Sequence, residues 1–99
     1  MTNRSADAVI IGSGLNSLVC AYSLVQNGWS VIILEQADTA GGAVKTKGLT
    51  VDGFAHDWAA MNLSLFAGSP FFRQYNADLI NLGLEFAPAK HCFASVFPD

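Results

Sequence analysis

The stretch Asp7–Val44, "DAVIIGSGLNSLVCAYSLVQNGWSVIILEQADTAGGAV", decides the fold because a helical pattern separates two short apolar runs. Ala8–Ile11 and Val31–Leu34 are rich in β-branched residues and lack polar alternation, which is typical of interior strands of a parallel sheet. From Leu15 onward, apolar residues recur at helical spacing until an Asn-Gly cap signal that ends at Gly28. The order predicts a right-handed βαβ unit, the core of an α/β domain with a Rossmann-like parallel sheet.

The turn between the first strand and the helix is a G-x-G-x-x-S version of the dinucleotide fingerprint, at residues 12–17. Gly12 permits the tight turn, and Gly14 lets the backbone approach a diphosphate. Ser17 stands where Gly or Ala is usual and is still small enough for close packing of helix on strand. The helix directs its free N–H groups and the positive end of its dipole at this turn. On this motif alone, a glycine turn without a ligand remains an open alternative.

An acidic residue ends the second apolar run. Glu35 lies 23 positions after Gly12, where a carboxylate can accept hydrogen bonds from both hydroxyls of an adenosine ribose. An acid at this position would repel a 2'-phosphate, which disfavours NADP. The alternative is a solvated charge that merely ends a strand.

A second glycine pair, Gly41-Gly42, follows Glu35 after five residues, in "EQADTAGG". This spacing resembles the Glu-x5-Gly-Gly signature of the FAD-binding amine oxidase and phytoene desaturase superfamily. The segments "GFAHDWAAMNLSL", with Asp57, and "LINLGLEFAP" are also similar to that family. The overall pattern is closest to the phytoene desaturase-like proteins, which include the pyridine nucleotide-disulfide oxidoreductase domain-containing type 2 group. A flexible glycine loop is the alternative interpretation of the pair.

The resemblance implies a flavin-dependent oxidoreductase with FAD as its cofactor. Its implied reaction is the desaturation of a small hydrophobic substrate, or the oxidation of an amine or alcohol group on it. Such enzymes are several times longer, so we expect residues 1–99 to be the N-terminal part of one FAD-binding domain, with its βαβ core at 7–35 and no activity alone. No catalytic residue is assigned. The residues expected to bind the cofactor are Gly12, Ser13, Gly14, Leu15, Asn16, Ser17, Glu35, Gln36, Gly41, Gly42 and Ala43.

Two other functions remain open. An NAD-binding dehydrogenase domain would share the first glycine motif and Glu35 but would not need Gly41-Gly42. A noncatalytic binding module would keep the fold and lose the ligand.

Beyond Val44 the pattern predicts short strands around an Asp52-Gly53 turn and a strand in "HCFASVFPD". A helix is predicted from Pro70, capped by Ser69 and ended by Gly83. Its predicted core face is Phe71, Phe72, Tyr75, Leu79 and Leu82.

Composition limits the partners. A net charge of −3 with only five Lys and Arg residues disfavours nucleic acid. A 99-residue chain that is 52% hydrophobic has more apolar surface than a domain of this size easily hides, which suggests a larger whole or a partner surface. Association with a membrane surface is left open, as is the oligomeric state.

Single residues outside the motifs carry weaker expectations. Cys20 and Cys92 are predicted to be buried thiols in a reducing compartment such as the cytoplasm. His56 and His91 have no metal-ligand spacing, so no metal site is expected. Lys45 and Lys47 are predicted to face solvent, and a position near the cofactor phosphates is the alternative.

Overall fold

The computed structural model describes residues 5–60, 62–91 and 94–98. The chain divides into two compact units, Met1–Leu65 and Phe66–Asp99. Within the described ranges, no helix is long and apolar enough to cross a membrane.

The first unit is built on a strand, a helix and a second strand. β1 is Ala8–Ile11, α1 is Leu15–Gln26 and β2 is Val31–Leu34. β1 and β2 pair in parallel over all four of their positions, and α1 contacts both strands. At the end of α1, Gly28 takes a φ of 83°, a left-handed conformation that glycine adopts without strain. The predicted βαβ unit is confirmed with its bounds.

An acid and a serine join the two strands where they begin. The Asp7 carboxylate Oδ2 accepts hydrogen bonds from the Ser30 amide at 2.8 Å and from the Ser30 hydroxyl at 2.6 Å. The Ser30 hydroxyl and then its amide hold the pKa of Asp7 below its ordinary value, because both stabilise the ionised form. The starts of the two parallel strands are therefore held together by a side-chain contact between Asp7 and Ser30 as well as by backbone hydrogen bonds.

The sheet is less buried than its apolar runs predict. Along β1, half-buried residues alternate with exposed ones, and the side chains of Val9 and Ile11 are 56% and 77% exposed. Among the described residues β1 and β2 pair only with each other, and α1 contacts both strands, so the exposure of Val9 and Ile11 leaves one side of this strand pair largely open to solvent. On α1, Ala21 is buried, whereas Cys20 is exposed and has a free thiol. The prediction of a buried Cys20 is wrong, and Cys92 lies outside the described residues.

A small hairpin follows in the same unit. β3, Thr46–Lys47, pairs antiparallel with β4, His56–Asp57. Between them the Phe54 amide donates to the Val51 carbonyl at 3.2 Å, and Gly53 takes a φ of 90°. The predicted strands around an Asp-Gly turn are confirmed. A short helix, α2, then spans Ser64–Ala67.

In the second unit, helix α3 spans Pro70–Asn81. Ser69 caps it, since its hydroxyl accepts from the Phe72 amide at 3.1 Å, and proline stands at the first helical position. The Phe72 ring lies 5.6 Å from the ring of Phe66 and 5.4 Å from that of Phe86, between centroids. The predicted cap is confirmed, and the aromatic rings do lie together, but no residue of α3 is buried, so the face is half-buried rather than the predicted core.

Two expectations for this unit fail. Leu82 is 79% exposed, because it is the C-cap of α3 and no longer follows the helical face. Residues 94–98 form no strand, and Cys92 and Phe93, which the predicted strand includes, lie outside the described residues.

Candidate functional site

The turn that follows β1 leaves the sheet at Gly12. Its amide donates to the Leu34 carbonyl at 2.6 Å, the last contact along the strand pair. Its φ of 91° lies in the left-handed region, which an L side chain adopts only with strain. Ser13 comes next and is 2% exposed. Gly12 thus makes the tight turn out of β1, as predicted.

Gly14 is the N-cap of α1 and stands beside open space. Its backbone is extended, with φ −68° and ψ 168°, and no side chain caps the helix. A Cβ built on Gly14 would have no atom within 4 Å. The first turn, Leu15 to Ser17, contains no acidic residue. A helix N-terminus with free amides and the positive end of the helix dipole suits an anion, and the space beside Gly14 leaves its backbone open to one.

Glu35 does not extend into solvent but turns back onto this loop. Its Oε2 accepts from the Ser13 amide at 2.8 Å and from the Ser13 hydroxyl at 2.6 Å. Its Oε1 accepts from the Ala37 amide at 2.9 Å. A carboxylate has about four acceptor positions, so one position on Oε1 is left for an outside donor. The two hydrogen bonds to a ribose that the position of Glu35 in the sequence predicts would need two open acceptor positions, and its role towards a ribose stays a prediction.

These hydrogen bonds keep Glu35 ionised. The Ser13 hydroxyl is the largest cause, followed by the Ala37 and Ser13 amides, and together they lower the pKa of Glu35 to about 2. The positive charge of Lys45 acts in the same direction. Lys45 is half-buried rather than facing solvent as predicted. Lys47 is exposed, with its ammonium 4.1 Å from the centre of the Trp58 ring.

The second glycine pair is packed directly on the first glycine turn. The Gly41 amide donates to the Ser13 carbonyl at 3.0 Å, and Gly41 forms a parallel bridge with Gly14. A Cβ on Gly42 would lie 2.8 Å from Gly14 Cα, and one on Gly41 would lie 2.5 Å from the Val44 carbonyl oxygen. Both glycines have positive φ, 116° and 60°. The pair therefore lies in close backbone contact with its neighbours, where neither glycine leaves room for a side chain.

The structure brings together most of the residues expected at the site. The turn at 12–17, Glu35 and Gly41-Gly42 are joined by the contacts above. Gln36 and Ala43 are exposed, and the Ala43 carbonyl accepts from the Ala60 amide at 3.2 Å. That these residues bind a cofactor remains a prediction.

Two contributors escaped the sequence analysis. The Ala37 amide donates to the side chain of Glu35, two residues earlier, in a local turn that acidic residues commonly make. An acidic residue two positions before Ala37 was the signal that could have predicted this contact. No sequence pattern predicted that Lys45 lies close enough to Glu35 for its charge to act on that carboxylate. Among the described residues, no three potential metal-ligating side chains cluster.

Comparison with known families decides the class of this site. Residues 10–78 match the model of the NAD(P)-binding Rossmann-like domain. The chain belongs to this family. The match covers the last two residues of β1, the glycine turn, Glu35 and the second glycine pair, so the family assignment rests largely on the residues that form the site. No solved structure matches the chain.

Curated relatives are oxidoreductases of the amine oxidase and FAD-dependent group. All-trans-retinol 13,14-reductase of Danio rerio is 31% identical over 90 residues, which is 91% of this chain and 14% of the relative. An L-amino-acid oxidase of Bothrops jararacussu is 36% identical over 62 residues, 63% of this chain and 12% of the relative. The 4,4'-diapolycopene oxygenase of Methylomonas sp is 39% identical over 56 residues, 57% and 11% of the two chains.

These relatives are much longer than the chain. The chain spans about a seventh or less of the length of the relatives described. What the comparisons show of the chain itself is a Rossmann-like domain of the NAD(P)-binding family, a type of domain that binds dinucleotides.

Proposed function

We propose that this chain holds the ADP half of FAD within a flavin-dependent oxidoreductase. The observation that carries the proposal is the open space at Gly14, at the start of α1, next to a carboxylate fixed by Ser13. An anion and a ribose attached to it are the two chemical features shared by the ADP half of every dinucleotide. The site offers one matching group for each of them.

Each part of the site would hold one part of the ligand. The free amides at the start of α1 and the bare Gly14 would bind the diphosphate. The open acceptor position on Glu35 Oε1 would take a ribose hydroxyl, since a carboxylate is a strong acceptor and this one is ionised at neutral pH. The same negative charge would repel a 2'-phosphate, which supports FAD or NAD over NADP.

Two observations favour FAD over NAD. The spacing from Glu35 to Gly41-Gly42 is that of the FAD-binding amine oxidase superfamily, and one relative is named as an L-amino-acid oxidase. FAD, when bound, supplies the two-electron redox chemistry. The described residues contribute binding and orientation, and the substrate-facing groups are expected from a longer protein.

The substrate class follows from the names of two relatives. One is named for retinol and another for diapolycopene, and both compounds are apolar. We therefore propose a small hydrophobic substrate. NAD binding by a dehydrogenase is the second candidate, favoured by the description of the matching family as NAD(P)-binding, and a binding module without activity is the third.

The visible absorption spectrum of the purified full-length protein separates these candidates. Two flavin bands, with FAD identified by mass spectrometry after denaturation, are the expected result. A colourless protein that binds NAD would contradict the proposal and support a dehydrogenase. A colourless protein that binds neither FAD nor NAD would support the noncatalytic module.

A further inference from the structure

Ser13 is the most buried residue of the candidate site, and all of its polar groups are engaged. It is 2% exposed. Its amide and hydroxyl donate to Glu35 Oε2, and its carbonyl accepts from the Gly41 amide at 3.0 Å. One residue thus joins the glycine turn, the end of β2 and the second glycine pair. The fingerprint leaves this position unspecified, so the motif does not predict the arrangement.

We propose that Ser13 is a positioning residue whose hydroxyl fixes the Glu35 carboxylate in the orientation that receives the adenosine ribose. This inference rests on the proposed dinucleotide site and deepens it by naming the group that sets the ribose acceptor.

Burial makes the hydroxyl a dedicated donor. At 2% exposure Ser13 has almost no access to water, so its O–H has Glu35 Oε2 as its partner at 2.6 Å, a short bond to a charged acceptor. With the Ser13 amide on the same oxygen, Oε2 is fully occupied and Oε1 keeps the open position. The carboxylate is held before the ligand arrives, which lowers the ordering cost of binding.

The opposite end of the strand pair supplies a matched control. Ser30 donates its amide and hydroxyl to Asp7 Oδ2 at 2.8 and 2.6 Å, the distances that Ser13 makes to Glu35. Ser30→Ala therefore removes a serine–carboxylate hydrogen bond of the same length from the other end of the same strand pair, in an exposed rather than a part-buried position. A loss confined to Ser13→Ala cannot be ascribed to loosening of the sheet in general.

The experiment measures ADP-ribose binding to the full-length, flavin-free protein by calorimetry, in wild type, Ser13→Ala, Ser30→Ala, Glu35→Gln and the double variant Ser13→Ala/Glu35→Gln. We expect Ser13→Ala to bind about tenfold more weakly, as for loss of one hydrogen bond to a charged group, and Ser30→Ala to bind like wild type. We expect Ser13→Ala to have no further effect once Glu35 is Gln, because the hydroxyl acts through that carboxylate.

The pH profile is a second measurement. Losing the hydroxyl raises the pKa of Glu35, although the Ser13 and Ala37 amides and the Lys45 charge still lower it. As the pH is lowered, the ADP-ribose affinity of Ser13→Ala should begin to decrease at a higher pH than that of wild type, because Glu35 becomes protonated earlier.

Each outcome separates the two proposals. Unchanged or tighter ADP-ribose binding in Ser13→Ala, or additive effects in the double variant, overturns the role of Ser13. In that case weaker ADP-ribose binding by Glu35→Gln still supports the dinucleotide site. Unchanged binding in Glu35→Gln overturns the ribose assignment itself.

Discussion

At the scale of single residues, the two glycines of the first turn serve different purposes. Gly12 has a φ of 91°, so the fold itself requires glycine there. Gly14 has a φ of −68° and nothing within 4 Å of a Cβ, so the fold would accept a side chain. We propose that Gly14 is glycine because a ligand approaches its backbone.

Gly14→Ala tests that explanation. We expect the melting temperature to stay within about a degree or two of wild type, because the backbone is extended and the Cβ meets open space. Flavin content after purification should fall, because the methyl group occupies the diphosphate position. Gly48→Ala is the control, since its Cβ would lie 4.0 Å from the nearest atom, the Phe54 carbonyl oxygen, away from the turn. Full flavin content in Gly14→Ala would show that Gly14 does not line the site.

The two acid–serine pairs predict how stability depends on pH. The pKa of Glu35 is lowered from 4.5 to about 2, and that of Asp7 is lowered from 3.8. A lowered carboxyl pKa stabilises the fold above the unfolded-state pKa, and the contribution is lost as the pH falls through the folded-state pKa. The free energy of unfolding should therefore decrease from about pH 4.5 towards pH 2.

Chemical denaturation across that range measures the effect. Ser13→Ala and Ser30→Ala should each flatten the decrease, since each removes the donor that lowers one carboxyl pKa the most. A decrease as steep as in wild type in both variants would contradict the assigned cause.

At the scale of elements, the second glycine pair acts as a clamp on the first turn. Gly41 forms a backbone bridge with Gly14. A Cβ on Gly42 would lie 2.8 Å from Gly14 Cα, so there is no room for a side chain at Gly42. The spacing after Glu35 predicted the pair from a family likeness, in which the glycines serve the cofactor. The structure shows an additional reason, the close approach of two backbones, which one linear motif cannot reveal.

Gly42→Ala should lose both stability and cofactor, in contrast to Gly14→Ala. The added methyl group would be forced against Gly14 Cα, and overpacking of this kind costs about 1 to 3 kcal/mol. Urea denaturation and flavin content of the same preparation measure the two effects. Wild-type stability in Gly42→Ala would mean that the clamp yields without cost.

How much could be predicted from the sequence depended on the range of the interactions. The bounds of β1, α1 and β2 followed from local periodicity and caps, and so did the cap of α3. Contacts between distant residues, such as the Ser13 hydroxyl with Glu35 or the charge of Lys45 near it, left no local pattern. Burial of Cys20 was mispredicted because helical periodicity does not reveal which faces of α1 the sheet covers.

At the scale of the whole molecule, the β1–β2 sheet leaves an apolar face uncovered. Val9, Ile11 and Leu34 are 56%, 77% and 52% exposed. Burying such side chains is worth about 1.5 to 3 kcal/mol each when complete, so the exposed portions forgo on the order of 3 to 5 kcal/mol. That is a large part of the stability of a small domain.

We predict that residues 1–99 expressed alone associate, aggregate or lack a cooperative melt, and turn over no substrate. Analytical ultracentrifugation and calorimetric melting check the physical state, and a flavin assay checks the content. A cooperative monomer that retains FAD and reduces it with a substrate would contradict this prediction.

The affinity of the flavin-free protein for FAD in the Glu35→Gln variant tests the central claim most directly. Asp7→Asn, at the opposite end of the strand pair, is the control, because Asp7 also receives two hydrogen bonds from one serine. Loss of a charged acceptor predicts FAD binding weaker by roughly ten- to a hundredfold in Glu35→Gln and unchanged in Asp7→Asn. Equal FAD affinity in wild type and Glu35→Gln would contradict the claim that Glu35 holds the adenosine ribose.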